Sequence, residues 1–254
     1  MKNQELFYPT IEARLGSYCF TSGIALEIYS DQKSAYDWAK VKFTKEFQDS
    51  VSLNRMDEAE LKLGYSNILQ TVFSGYVTKS YNHASGADEI LLKDEMLKLG
   101  ETYITNTFLD TVPQEIASYA LKQAGITSMK LVSDQYLAKS RVPIVKKSVP
   151  ELLKHLQDLW NMGELTACIR NKVFYWGVIP PQKRTYQFVY GENIISLGRE
   201  RGYWELETVS MPDVRHSDMI QVSHPKISGS FEVKKMRFMT SDRGFIRTMI
   251  CFEG

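Results

Sequence analysis

The sequence predicts an α+β protein in which two β-rich regions flank a smaller region that contains helices. Apolar and polar residues alternate with a period of two in the first hundred residues, as at Ile24, Leu26 and Ile28. Two helix signatures follow between residues 111 and 163. Alternating segments return from Tyr186 onward, and the layout is β, then α/β, then β, without a low-complexity linker or a repeat of fixed period.

The most regular β stretch covers residues 61–99 and predicts a twisted antiparallel sheet with one buried face. Its first strand ends at a polar turn, Ser66-Asn67, and its second strand contains the segment 72–77. Residues 90–93 form a third strand that leads into one amphipathic turn. Gly75 lies inside the second strand, where a missing side chain indicates a bulge, a bend or a close backbone approach.

A second strand-forming stretch, residues 36–47, is long and amphipathic. Its apolar side carries Ala39, Val41 and Phe43, and its polar side carries Lys40, Lys42 and Thr44. We expect the two lysines to face solvent, a lumen or a neighbouring chain, and an ordinary solvated strand face fits the pattern equally.

The middle region carries two helices with the same start signature. Thr111 is the predicted N-cap of the first, with Pro113 in the first turn, Gln114 in position to close a capping box and Gly125 as the stop. Ser148-Val-Pro-Glu repeats the signature, and Gly163 is the predicted end. The second helix has an apolar stripe of Leu152, Leu153, Leu156, Leu159 and Trp160.

Short strands are predicted around these helices and again after Pro180-Pro181. In the middle region they are 129–132, 143–145, and a hairpin of 165–169 with 173–176 that turns at Arg170-Asn171. In the last region they are 186–190, 204–209, 219–224, 231–238 and 245–252, with a turn at 240–244.

Composition places the chain among ordinary soluble proteins. Its 254 residues are 43% hydrophobic and 24% charged, enough for one large domain or two. The three cysteines, Cys19, Cys168 and Cys251, form no C-x-x-C pair, so we expect neither a disulfide framework nor a zinc ribbon. The N-terminus lacks the features of a signal peptide, and no apolar run reaches the roughly 18 residues of a membrane span.

Charge is spread unevenly along the chain. Residues 1–138 carry 13 basic and 18 acidic side chains, residues 139–184 carry 9 and 3, and residues 185–254 carry 9 of each. The basic middle segment fits a phosphate-binding patch, a solvated face or one side of a subunit interface. We therefore keep a nucleic-acid-binding protein as one alternative, although we expect no direct nucleic-acid recognition.

No residue pattern predicts a catalytic, cofactor or metal site. His216-Ser217-Asp218 supplies the residue types of a nucleophile triad, but consecutive residues of a strand point apart, which predicts a polar loop. The remaining histidines, His83, His155 and His224, are scattered, and Cys168 has no partner nearby in sequence. Neither a P-loop nor a dinucleotide-binding fingerprint occurs. Abundant carboxylates leave glycoside hydrolysis open, so a cell-wall-degrading or carbohydrate-binding protein is a second alternative.

Four segments, in this order, resemble one family. They are LGY at 63–65 with VFSGYV at 72–77 and DEML at 94–97; DTVPQEI at 110–116 through AGI at 124–126; FVYGENI at 188–194; and HPKISGSFEV at 224–233 with GFIRT at 244–248. The set is similar to the baseplate hub of contractile phage tails, the late-control-protein-D-like hubs. The same family includes tail-like bacteriocins and defective prophage particles and, more distantly, type VI secretion spike proteins.

The resemblance implies a structural protein without an active site. Hubs of this family resemble a tail-tube protein duplicated in one chain, so residues 1–103 and 186–254 would be two tube-like antiparallel β-barrel parts, with an α/β domain at 104–185. The chain would form a homotrimer that adapts a hexameric tail tube to a trimeric central spike. Its partners would be the tail tube or tube-initiator protein, the spike and other baseplate proteins, within a virion or tailocin assembled in the bacterial cytoplasm.

One departure concerns length. Many hubs of this family carry further α/β material or a fused spike or hydrolase, whereas this sequence ends at Cys251-Phe-Glu-Gly, straight after a predicted strand. We therefore expect peptidoglycan cutting and membrane piercing to belong to separate polypeptides.

Overall fold

The computed structural model describes residues 9–44, 51–65, 68–81, 89–182, 184–209, 211–240 and 246–254. It divides into two compact units, one from residues 1–94 together with 182–254, and one from residues 95–181. The predicted turn at Ser66-Asn67, most of the turn at 240–244 and the end of the 36–47 strand lie outside the described residues.

The first unit begins with seven strands: β1 Pro9–Leu15, β2 Tyr18–Phe20, β3 Ile24–Asp31, β4 Trp38–Phe43, β5 Glu58–Tyr65, β6 Ile68–Tyr81 and β7 Glu89–Asp94. The second unit contains α1 Met96–Glu101, β8 Tyr103–Thr111, α2 Pro113–Gln123, β9 Met129–Leu131, β10 Lys139–Ser148, α3 Val149–Trp160, β11 Ala167–Arg170 and β12 Val173–Trp176. The chain then returns to the first unit with β13 Tyr186–Val189, β14 Ile194–Glu200, β15 Tyr203–Val209, β16 Met219–His224, β17 Ile227–Thr240 and β18 Ile246–Phe252.

The strands of the first unit form one 13-stranded, mainly antiparallel sheet. Its order is β14-β15-β18-β17-β3-β4-β7-β6-β5-β1-β2, with β16 pairing β17 and β13 pairing β16. Alternation buries one side of most of these strands, as the regular pattern along β3 shows, and produces a single apolar core. The predicted α+β class and antiparallel meander are confirmed. Among the described residues the strand path does not close on itself.

Gly75 is the point where β6 passes from one neighbouring strand to the next. It lies opposite Ala59 of β5 and also opposite Asp94 of β7. A Cβ atom at this position would lie 2.0 Å from the carbonyl oxygen of Lys93 and 2.7 Å from the Cα atom of Asp94. The glycine is therefore required by close backbone approach, one of the three explanations that the sequence offered.

The second unit packs three helices against a two-stranded ribbon of β8 and β10. The hairpin of β11 and β12 is confirmed, and β9 joins it in parallel beside β12. Asn171 and Lys172 both have positive φ at the hairpin turn, one residue beyond the predicted position. The core of this unit is formed by Leu99, Ile104, Ile116, Leu121, Ile144, Leu152, Leu156, Phe174 and Trp176.

Both helix starts are confirmed, with a shift at the first. Val112, rather than Thr111, occupies the N-cap of α2, and Glu115, rather than Gln114, accepts hydrogen bonds from the Val112 N–H and the Thr111 hydroxyl. Gln114 turns away and donates to the carbonyl oxygens of Val132 and Asp134. The shift arises because the glutamate at the third helical position reaches back to the N-cap amide.

The start of α3 follows the prediction, and its end does not. Glu151 accepts from the N–H and the hydroxyl of Ser148 at 2.9 and 2.7 Å. The helix stops at Asn161, which adopts the left-handed conformation with φ of 53°, two residues before Gly163. Leu159 of the predicted apolar stripe is 36% exposed, so the buried stripe is narrower than predicted. None of the described helices is both long and apolar enough to cross a membrane.

Candidate functional site

The residues of the triad-like motif lie in the loop before β16, and all three are buried. His216 Nδ1 lies 3.0 Å from Ser217 Oγ, and the carboxylate of Asp218 accepts from the backbone N–H of Arg215 at 2.9 Å. Ser217 donates its N–H to the Val233 carbonyl at 2.7 Å, and Val233 returns a bond to the Asp218 carbonyl at 2.8 Å. A tight turn thus anchors this loop to the middle of β17.

The same turn occurs a second time, before β5. Asp57 accepts from the backbone N–H of Asn54 at 2.8 Å, Met56 donates to the Val77 carbonyl at 2.9 Å, and Val77 donates to the Asp57 carbonyl at 2.9 Å. Met56 and Ser217 both have positive φ, 73° and 66°. Arg55 and Met56 of the earlier turn stand where the later turn has His216 and Ser217. The aspartate that caps the turn is therefore the feature that the two turns share. A structural turn therefore explains the motif.

These paired turns belong to a larger internal repeat. In the N-terminal set, β3, β4, β7, β6 and β5 pair in that order, and in the C-terminal set β14, β15, β18, β17 and β16 pair in the same order. Both long strands, β6 and β17, have 14 residues and follow their partner strand after two residues. In both strands the pairing with the next strand changes register at the same place. The shift lies between Val77 and Lys79 where β6 pairs with β7, and between Val233 and Lys235 where β17 pairs with β18. We call these groups the first and second strand sets.

One contact differs between the sets: β1 pairs antiparallel with β5, whereas β13 pairs parallel with β16. The five-strand order is thus the conserved part of the repeat, and the sixth strand is placed differently in each set.

The two sets are joined by β3 and β17. Lys235 to Met239 of β17 pair antiparallel with Asp31 to Glu27 of β3. Charged side chains reinforce this joint: Arg237 donates two hydrogen bonds to Glu27 Oε1 at 3.0 and 2.7 Å, and Lys235 lies 3.2 Å from Asp31. The joint fuses the two sets into a continuous sheet.

A polar cluster lies beside this joint, at the end of β3. Asp37 is half-buried as a residue, but its carboxyl group lies inward, where it accepts from the Ser30 hydroxyl at 2.6 Å and the Asp31 N–H at 3.2 Å. Burial raises the pKa of Asp37 to about 6, and the Ser30 and Asp31 hydrogen bonds and the charge of Arg215 oppose the rise.

Arg215 connects the loop before β16 to the first strand set. Its Nη2 donates to the Thr71 carbonyl of β6 at 2.7 Å, and its Nη1 donates to the Val214 carbonyl at 2.9 Å. Gln32 makes a second connection, since its Nε2 lies 3.2 Å from Ser217 Oγ and 2.6 Å from Glu232 Oε1. Neither Asp37 nor Arg215 stood out in the sequence, because both depend on contacts between distant segments.

The remaining residues considered for chemistry are separated. His155 is half-buried on α3, His224 packs edge-on against Tyr190, and His83 lies outside the described residues. Burial raises the pKa of the Cys251 thiol to about 11, so this sulfur is protonated at neutral pH. The described part of the chain contains no group of three or more His, Cys, Asp or Glu side chains arranged for a metal ion.

Lys40 and Lys42 of β4 both pair with Glu89 of β7, at 3.3 and 3.4 Å. Burial alone would raise the pKa of Glu89, but the two lysines outweigh it and the pKa lies below its ordinary value. The lysines thus form a charged ladder on the polar side of β4, as the alternation predicted.

The basic segment 139–184 lies mostly in the second unit, where its charges are dispersed. Arg141 and Lys146 are exposed on β10, Lys139 lies over the ring of Trp160, and Lys154 is exposed on α3.

No protein-family model and no curated protein matches this chain. Solved structures do match it. The 43 kDa tail protein of prophage MuSo2 from Shewanella oneidensis gives a TM-score of 0.75, with 12% identity, over 96% of this chain and 97% of that chain. A tail protein from Neisseria meningitidis MC58 gives 0.70, with 12% identity, over 98% and 97%.

A third match is the E. coli c3393 protein, described as a component of the type VI secretion system with structural similarity to the T4 bacteriophage tail proteins gp27 and gp5. Its TM-score is 0.68 at 10% identity, over 95% of this chain and 76% of that chain. At these identities the likeness establishes a shared fold. The chain therefore has the fold of phage tail and type VI secretion proteins.

Proposed function

We propose that this chain is a structural baseplate protein of a contractile phage tail or tail-like particle, and that it serves as the hub. In that role three copies form a homotrimer that joins a hexameric tail tube to a trimeric central spike. The observation that carries the proposal is the strand set that occurs twice in one chain. Three chains with two sets each present six similar units around one axis, which reconciles threefold with sixfold symmetry.

The residue-level structure supports a role in assembly. The triad-like motif is one of two equivalent aspartate-capped turns, so its polar residues already have a structural purpose. The fold shared with the Shewanella and Neisseria tail proteins supports the same class of role. Within this proposal, residues 1–103 and 186–254 contribute the tube-like parts, residues 104–185 form the α/β domain, and the particle is a virion or a bacteriocin.

Mass measurement of the purified chain in solution tests the proposal. We expect a species near three times 29.2 kDa, formed by the chain alone or on addition of the tail-tube or spike protein of the same particle. A chain that remains monomeric at high concentration in the presence of both partners would contradict it.

A further inference from the structure

The hairpin of β5 and β6 is longer than its counterpart in the second strand set, the hairpin of β16 and β17. Both begin at an aspartate-capped turn, so Glu58 of β5 corresponds to Met219 of β16. From these positions β5 runs for eight residues and β16 for six. The first hairpin therefore has two additional pairs of residues, which extend it by roughly 7 Å at about 3.4 Å per residue.

The additional pairs lie at one end of the first strand set, where β1 also runs alongside β5. A Cβ atom at Gly64 would lie 1.9 Å from the carbonyl oxygen of Ile68, so glycine permits the close approach of the two strands. Because three strands pair here, the end is better supported than an isolated hairpin. We call it the distal end, and it consists of Pro9, Thr10, Gly64, Tyr65, Ile68 and Leu69.

The surface of the distal end is apolar and uncharged. Ile68 is 67% exposed, Pro9 is also exposed, and Tyr65 and Leu69 are half-buried. None of its six residues carries a charged side chain. Elsewhere on the same strands the polar face carries ion pairs, as where Lys62 lies 3.2 Å from Glu12. A projecting group of apolar residues without charge is typical of a contact surface.

The end of the second hairpin is packed against its own strand set. His224 lies edge-on against the ring of Tyr190, and Lys226 Nζ lies 3.4 Å from the carbonyl oxygen of Leu197. Ile227 is partly buried against the apolar core. In the part of the chain that the structure describes, the hairpin repeat therefore presents an apolar projection in the first set and not in the second.

We infer that the distal end is the contact of this protein for a threefold-symmetric partner, which in the proposed function is the central spike. The inference rests on that function for the number of copies. A feature of both strand sets occurs six times in a trimer and matches a hexameric tube, whereas a feature of the first set alone occurs three times and matches a trimer.

The chemistry of the distal end defines the complementary site on the partner. An aliphatic side chain that is exposed on a firmly supported strand end contributes to binding when an apolar pocket removes it from water. The partner therefore presents three pockets of aliphatic or aromatic residues, each of which receives one copy of Ile68. Since the distal end is uncharged, this contact depends only weakly on salt concentration.

Substitution of Ile68 tests the contact with the purified spike and tail-tube proteins of the same particle. Ile68→Ser should weaken spike binding by about tenfold or more and leave tube binding unchanged, while Ile68→Val should stay within about a factor of three of the wild type. Ile195→Ser is the matched control, because Ile195 is 51% exposed on β14 of the second set. Circular dichroism and thermal melting establish that each variant folds.

Photo-cross-linking gives a second readout that does not depend on lost affinity. In a Cys19→Ser background, which removes an exposed thiol, Ile68→Cys and Ile195→Cys are each labelled with a thiol-reactive benzophenone. We expect the label at position 68 to cross-link to the spike and not to the tube, and the label at position 195 to cross-link to the spike much less.

The outcomes separate this inference from the proposed function. A trimer in which Ile68→Ser leaves spike binding unchanged, or equal cross-linking from positions 68 and 195, overturns the distal-end contact while the hub proposal stands. A wild type that binds the spike through Ile68 but stays monomeric and does not bind the tube overturns the hub proposal while the contact stands. A wild type that binds neither partner overturns both.

Discussion

Replacing Gly75 with alanine tests whether the close approach of β6 and β7 maintains the first strand set. The added Cβ would lie 2.0 Å from the Lys93 carbonyl oxygen, and contacts of this kind require at least 3.0 Å. The backbone of β7 must therefore retreat by about 1 Å, since a backbone oxygen cannot rotate away as a side chain can.

The expected destabilisation combines two costs. Overpacking in a well-packed region costs about 1–3 kcal/mol, and weakening one ladder hydrogen bond beside Asp94 adds about 1 kcal/mol. Alanine regains up to about 1 kcal/mol through lower chain entropy in the unfolded state. The net effect is a loss of about 1–3 kcal/mol, which for a unit of this size lowers the melting temperature by roughly 2–12 °C.

The assay is thermal and urea unfolding followed by circular dichroism, with Gly198→Ala as the matched control. Gly198 also lies in a strand, but no heavy atom lies within 4 Å of the Cβ position there. We expect this control to stay within about 0.5 kcal/mol of the wild type. Equal stability of the Gly75→Ala and Gly198→Ala variants would refute the reasoning.

Three further predictions concern the joint and the helix caps. Because the folded-state pKa of Asp37 is about 6, above its ordinary value of 3.8, stability from this group is full below about pH 4 and lost as pH rises through 6. The urea-unfolding free energy of Asp37→Asn should therefore rise by roughly 2–3 kcal/mol relative to that of the wild type between pH 4 and pH 7, and a constant difference between the two proteins over this range would contradict this. A double-mutant cycle of Glu27→Ala and Arg237→Ala should give a coupling of about 0.5–1 kcal/mol, weakened by salt, since the pair is partly exposed; a salt-independent value would argue against it. Ser148→Ala should destabilise the 95–181 unit by about 1 kcal/mol in thermal melts, because it removes the N-cap side chain of α3. An unchanged melting temperature would show that this cap does not stabilise the unit.

Local patterns predicted much of the secondary structure. Strict alternation along β3 and β5 and the Ser148-Val-Pro-Glu signature each depend on residues within one turn or strand, so they can be read without tertiary information. The prediction was wrong where two neighbouring residues could each form the same local structure. Glu115, and not Gln114, closes the capping box of α2. β14 was missed, because a strand at the sheet edge buries few residues and shows little alternation.

The internal repeat left only a weak trace in the sequence. In both sets a two-residue connection precedes a strand of 14 residues. In both, an aspartate also lies shortly before the hairpin that contains this strand: Asp57 before β5 and Asp218 before β16. The other equivalent residues differ, since a sheet position requires an apolar or polar character more than a particular side chain. The sequence therefore shows no repeat of fixed period, although the order in which the strands pair is repeated.

The sequence by itself determined most of the strands, the two capped helices, the β–α/β–β layout and the glycine at position 75, because these depend on alternation, capping and backbone freedom within short segments. Only the tertiary structure decided that the segments before residue 95 and after residue 181 share one sheet, that β3 and β17 form its joint, and that Asp37 lies beside it. The physical reason is that strand partners, buried carboxyl groups and open edges are set by pairing between residues as far apart as 27 and 237, about which neighbouring residues carry no information.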